Sequence, residues 1–144
     1  MSTDGEKSIT LTRTIDAPAE EVFAAWTDPA LLEQWQADHA DFEAFEGGTF
    51  RFETADADNP SVNHVVHGQV AAYEQDRKLV EIWRFGEEGD IEESTLIITF
   101  RPLDDERTEI TLVEVDEAHT DPESRIFSIE AWSAALDELA ELLE

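Results

Sequence analysis

Hydrophobic and polar positions alternate with period two through most of this chain and switch to helical spacing in three places. Ile9, Leu11, Arg13 and Ile15 fall on one parity and Ser8, Thr10, Thr12 and Thr14 on the other, which predicts a first strand over 8–15. Asp16-Ala17-Pro18-Ala19-Glu20-Glu21 then reads as a helix start, with a capping acid, Pro in the first turn and acids near the positive helix end. Val22, Phe23 and Trp26 recur at helical spacing. Thr27-Asp28-Pro29 breaks that helix and opens a second short one whose apolar side is Leu31, Leu32 and Trp35. From Asp41 the period returns to two. Phe42 to Phe52 reads as a hairpin turning at Gly47-Gly48, and further strands are predicted over 62–73, 79–85, 94–100 and 108–115. Turn-like breaks separate them at 75–77, 86–90 and 102–106. Asp121-Pro122-Glu123 opens a last helix in which Ile129, Trp132, Leu136, Leu139 and Leu143 form a stripe stepping by 3 and 4, with Ile129, Trp132, Leu136 and Leu139 predicted to face the sheet.

Short connections between strands make an antiparallel meander, and one long amphipathic helix is the natural cover for its apolar face. The chain is therefore predicted to be α+β: one strand, two short helices, about six further strands and a long C-terminal helix. Residues 1–7 read as a disordered lead-in and 8–144 as one domain.

Charge changes the picture next. Thirty-six acidic residues stand against nine Lys and Arg, only two of them Lys, for a formal charge of −27 on 144 residues. The acids run the whole length rather than forming a tail, as suits a protein working in molar salt, where the Debye length falls to about 3 Å. An extreme halophile, specifically a haloarchaeal host, is the expectation. Such a surface repels phosphate backbones and anionic lipid, so neither nucleic acid nor a membrane is an expected partner. The polar N-terminus and the lack of 18 consecutive apolar residues predict a soluble, cytoplasmic protein. Without Cys there are no disulfides, thiolate catalysis or zinc–thiolate sites.

Candidate chemistry is sparse. Glu114 shares a face of the last strand with Ile110 and Leu112, so if those meet the helix its carboxylate points inward too, partly desolvated and suited to bind or move a proton. Trp35, Trp83 and Trp132 are candidate pocket walls, whereas Trp26 fits plain core packing. His64 and His67 are three apart on a strand and face opposite ways, and His39 and His119 fall in predicted loops, so no metal is expected. Asp56-Ala57-Asp58-Asn59 starts like a calcium loop but continues with Pro60 and Ser61. No nucleophile elbow, Walker sequence or dinucleotide fingerprint is present, and no cofactor is implied.

Several blocks carry a family resemblance: Arg13-Thr14-Ile15-Asp16-Ala17-Pro18, Val22-Phe23-Ala24-Ala25-Trp26-Thr27-Asp28-Pro29, then Leu32 and Trp35. Gly47-Gly48, Gly68, Leu79-Val80 through Trp83, Ser94-Thr95-Leu96 to Phe100 and Glu130-Ala131-Trp132-Ser133-Ala134-Ala135-Leu136 follow in the same order. Together they resemble the SRPBCC proteins of the Bet v 1/START-like superfamily, and more narrowly the activator of Hsp90 ATPase homologues. The resemblance implies a helix-grip fold, a curved antiparallel sheet wrapped around the last helix with a cavity between. Three departures bear on what fills that cavity. Trp35-Gln36 stands where many relatives have Trp-Trp, Phe45-Glu46 where they have Arg-Pro, and Glu114 where they often have His.

The leading expectation is a non-enzymatic protein that binds a small apolar molecule in a cavity lined by Trp35, Trp83, Ile98, Leu112 and Trp132, with Glu114 as polar contact. A cavity enzyme, cyclase- or hydrolase-like, would use Glu114 and His67 as acid and base. A co-chaperone-like module with a protein partner is a third reading, and a homodimer is left open. Fold alone does not choose among them.

Overall fold

In the computed structural model, which describes residues 7–55, 58–59, 63–85 and 92–144, seven strands build one sheet. They are β1 (Ser8–Ile15), β2 (His39–Phe42), β3 (Thr49–Ala55), β4 (Asn63–Glu74), β5 (Lys78–Phe85), β6 (Glu92–Asp104) and β7 (Arg107–Val115). Their order is β1-β7-β6-β5-β4-β3-β2, antiparallel throughout. Successive strands pair with their neighbours except β1, which crosses to the far edge and lies beside β7. That crossing leaves room for α1 (Ala19–Thr27) and α2 (Pro29–Trp35) between β1 and β2. A 3-10 turn (Glu117–Thr120) leads into α3 (Pro122–Leu143). The lead-in at 1–6, most of the acidic loop at 56–62 and the turn at 86–90 lie outside the described residues.

The period-two reading holds, with longer strands than the sequence suggests. Strand β6 runs on through Pro102, which stays in register opposite Thr108, to Asp104 opposite Arg107, with Leu103 as the extra residue at the register shift between them. Gly47 takes φ 90° in the connection between β2 and β3, a conformation that favours glycine. Gly68 serves a different need. The Phe50 ring lies so close over its Cα that any Cβ would collide with it.

The helix starts differ from expectation. Asp16 does not cap α1, whose N-cap is Pro18. Asp28 does cap α2, its Oδ1 accepting from the Ala30 N–H at 3.0 Å. The Trp35 indole then donates to the Ala25 carbonyl at 2.8 Å and ties α2 back onto α1. Trp26 is fully buried, with ring contacts to Trp35 at 4.8 Å and Trp132 at 6.1 Å. Phe23 meets Tyr73 and Phe100 edge-on, at 5.2 and 5.1 Å.

The apolar stripe of α3 needs a correction. Leu136, Leu139 and Ala140 are buried, and Trp132 is half-buried against the core, but Ile129 is 38% exposed rather than facing the sheet. In the first half of the helix the less exposed line runs through Ser124, Arg125 and Ser128, one step off Ile129. Arg125 holds that line down by donating to the Ser8 carbonyl at 2.9 Å. Ile126 and Phe127 are exposed beside Ile129. The C-terminal half of α3 is therefore embedded and the N-terminal half is lightly held.

Candidate functional site

Register places Glu114 in a row that crosses the sheet. Val70 pairs with Glu81, Glu81 with Leu96, Leu96 with Glu114, and Glu114 with Ile9. Val70, Leu96 and Ile9 are buried, so this row belongs to the inner face, beneath the helices. Two carboxyl groups thus share one row, two strands apart, with Leu96 between them; strand spacing puts their Cα atoms about 10 Å apart.

Each carboxyl is held by an indole. Trp132 Nε1 donates to Glu114 Oε2 at 2.9 Å, and Trp83 Nε1 donates to Glu81 Oε1 at 2.9 Å. The two indoles meet edge to face with centroids 6.0 Å apart. Trp83 also touches Phe50 and Phe52, at 5.7 and 5.4 Å, so aromatic rings run without a gap from β3 across to α3. The other Glu114 oxygen faces His119, whose Nε2 lies 2.8 Å from Oε1. His119 is buried in the 3-10 turn, and its Nδ1 has no partner among the described residues.

The two carboxyls differ in environment. The Glu114 side chain keeps 15% of its surface exposed. Glu81 is 1% exposed, and burial pushes its pKa up to about 8, with the Trp83 hydrogen bond opposing part of that rise. Glu81 is therefore an uncharged acid at neutral pH. The base beside Glu114 is His119, and the Arg125 guanidinium lies close by on the Ser8 and His119 carbonyls. Other arginines pair on the surface: Arg13 with Asp137, Arg51 with Glu53, Arg84 with Glu93, Arg101 with Glu109 and Arg107 with Asp104.

The sequence-derived site residues fall into three groups. Trp83, Trp132 and Glu114 come together as described. Ile98 and Leu112 are cross-strand partners in the next row, fully buried, and form the floor beside Leu96. Trp35 lies on the far side of Trp26, with its indole already engaged by Ala25. His67, considered as an acid–base partner, is exposed on the opposite face, since its neighbour Gly68 points inward under Phe50. Surface clefts occur away from this row, one lined by Asp16, Pro18, Asp104 and Arg107, another by Phe42, Arg51, His67 and Arg84. No group of three or more His, Cys, Asp or Glu is arranged to hold a metal ion among the described residues.

Two participants escaped the sequence reading. Glu81 had a signal: it lies two residues before Trp83 on the same strand and so on the same face. The strand hides it, because Val80 and Ile82 make the outer parity look equally apolar. His119 had none beyond its place five residues after Glu114, since a turn can aim its side chain anywhere.

The chain matches the family described as Activator of Hsp90 ATPase homolog 1-like protein over residues 16–144 and belongs to that family. Solved structures share the fold. A protein from Chromobacterium violaceum superposes with a TM-score of 0.80 at 24% identity, covering 96% of this chain and 97% of that one. A protein from Rhodobacter sphaeroides gives 0.81 at 20% identity, covering 96% and 92%. One from Mesorhizobium loti gives 0.78 at 20% identity, covering 94% and 96%. These likenesses are to the curved sheet gripping a C-terminal helix. No curated protein matches the chain.

Proposed function

We propose that this protein binds a small, mainly apolar molecule between α3 and the inner face of the sheet, with Glu114 as a polar contact. The observation that carries this reading is the Trp132–Glu114 hydrogen bond. It sets a partly exposed carboxylate among half-buried indoles, the mixture of apolar wall and few polar groups that small-molecule sites use. Access comes from the first half of α3. Its exposed Ile126, Phe127 and Ile129 contribute little to the core, so lifting that half costs few buried contacts, while Leu136, Leu139 and Ala140 anchor the rest.

The charge of −27 supports a second part of the proposal: the protein operates in a cytoplasm of concentrated salt. No helix among the described residues is long and apolar enough to cross a membrane.

The test is titration with a neutral apolar fluorophore, N-phenyl-1-naphthylamine, in 2 M KCl, read by probe emission and by Trp quenching. Saturable binding that Glu114→Leu changes several-fold supports the reading. Absence of saturable binding, or identical binding by Glu114→Leu, overturns it.

A further inference from the structure

We propose that β1 is the seam of a homodimer: two copies pair their first strands antiparallel, edge to edge, and one sheet continues across a two-fold axis. This does not rest on the ligand reading.

The two ends of the sheet differ. At one end β2 is four residues long, and so short an edge is a poor template for another chain. At the other, β1 runs eight residues without Pro, keeps an unbroken register with β7, and pairs with no strand on its second side among the described residues. In an antiparallel pair alternate backbone N–H and C=O groups point away from the partner strand, so β1 offers a row of them. Charge sets this edge apart further. Acids make up 36 of the 144 residues, yet Ser8–Ile15 holds none, and its one charge, Arg13, is taken by Asp137 of α3. On a body of −27, another copy can approach β1 without a carboxylate of the strand facing it.

Helix α3 supplies an independent observation. It runs along β1: Arg125 donates to the Ser8 carbonyl, Arg13 binds Asp137, and the Asp16 N–H donates to a Glu144 oxygen at 2.9 Å. Trp132 marks the side of the helix turned toward β7, and Asp137 the side turned toward the open edge. Ser133, Ile129 and Ile126 precede Asp137 on that same side at helical spacing, with Glu130 the acid among them. Ile126 and Ile129 are 58% and 38% exposed, so the monomer leaves them largely uncovered. A second copy across the edge covers both.

The faces set the register. Residues directly opposite in an antiparallel pair share a face, so the inner row of Ile9, Leu11, Arg13 and Ile15 must meet the same row of the other copy. With Thr12 on the axis, Thr12 meets itself, Thr10 meets Thr14, Leu11 meets Arg13 and Ile9 meets Ile15. Centring on Leu11 instead would set Ile9 against Arg13. Matched threonines and matched aliphatics are favourable cross-strand pairs.

The chain has no Cys, so an introduced one reads the seam directly. Opposed residues of an antiparallel pair lie about 4.5–5.5 Å apart at Cα, within disulfide reach. Sedimentation equilibrium should show a dimer in 2 M KCl, weakened by about tenfold or more in 0.1 M KCl as the acidic bodies repel with less screening. Thr12→Cys should give a disulfide-linked dimer on mild oxidation in 2 M KCl, whereas Thr10→Cys, whose two copies lie well apart in this register, should link far less. Thr12→Asp changes an exposed position and sets two carboxylates face to face; it should be monomeric with an unchanged circular dichroism spectrum. Thr12→Val should remain dimeric. A parent that stays monomeric in 2 M KCl would assign this edge to a different chain and overturn the proposal. So would a dimer that Thr12→Asp leaves intact, or Thr10→Cys linking as readily as Thr12→Cys. If Thr12→Asp does not fold, the cysteine pair and the parent's own sedimentation still decide.

Discussion

Trp132 reaches from α3 to Glu114 on β7 with a 2.9 Å hydrogen bond, so the last helix is fastened to the sheet through the same carboxylate proposed to meet the ligand. Binding and helix attachment therefore compete for one group. Trp132→Phe keeps most of the ring and removes the N–H. Loss of a hydrogen bond to a charged group should lower stability by about 1.5–3 kcal/mol. Trp132→Ala, which also empties ring volume, should cost about 3–5 kcal/mol. Chemical denaturation of the two variants checks the ordering; equal losses would show that the hydrogen bond contributes nothing.

Glu81 gives stability a definite pH dependence. Its folded pKa of about 8 lies above the unfolded value of 4.5, so between those values the folded state holds a proton that the unfolded state releases. The unfolded state binds fewer protons, and stability must fall as pH rises through that window and level off above it, by on the order of 1 kcal/mol per pH unit. Glu81→Gln cannot ionise. Its melting temperature should gain on the parent steadily from pH 5 to pH 8.5. A difference between the two proteins that stays constant across that range would refute the assignment.

Gly68 is fixed by the Phe50 ring above it. Gly68→Ala should destabilise by about 1–3 kcal/mol, the usual cost of forcing atoms into packed space. Phe50→Leu in the same chain should recover part of the loss. A Gly68→Ala protein as stable as the parent would mean the ring moves aside freely.

Salt should govern stability more than in ordinary proteins. Two like charges 10 Å apart in water repel by only about 0.4 kcal/mol, but a net charge of −27 sums many such terms over a compact body. Unfolding spreads the charges, so repulsion penalises the folded state most in dilute buffer. The melting temperature should climb by many degrees between 0.1 and 2 M KCl, where screening shortens to about 3 Å at 1 M and below that beyond it. A melting curve that stays still would remove the argument for a halophilic setting.

The sheet and the three helices could be read from periodicity because one parity is apolar in strands such as β7, where Ile110 and Leu112 are buried. The inward aim of Glu114 followed from that parity alone. What the sequence left hidden depends on register. That Glu81 and Glu114 share a row is settled by which residue of β6 each one faces, and Leu96 faces both. Ile129 misled for a related reason: a 3-and-4 stripe is compatible with several neighbouring helix faces, and Arg125 and Ser128, not apolar bulk, take the inward line of the first turns.

Strand β1 lies next to β7, Ser8 opposite Val115 and Ile15 opposite Thr108. The first strand of the domain to be synthesised therefore has no strand partner until the last one has been made. The hairpins from β2 to β7 can close in order as they emerge, but the β1 edge and the helix lying on it must wait. Pairing over so long a separation is entropically late and slow. Assembly should accordingly finish with a single closing event, in which the N-terminal strand docks and α3 comes to rest against it.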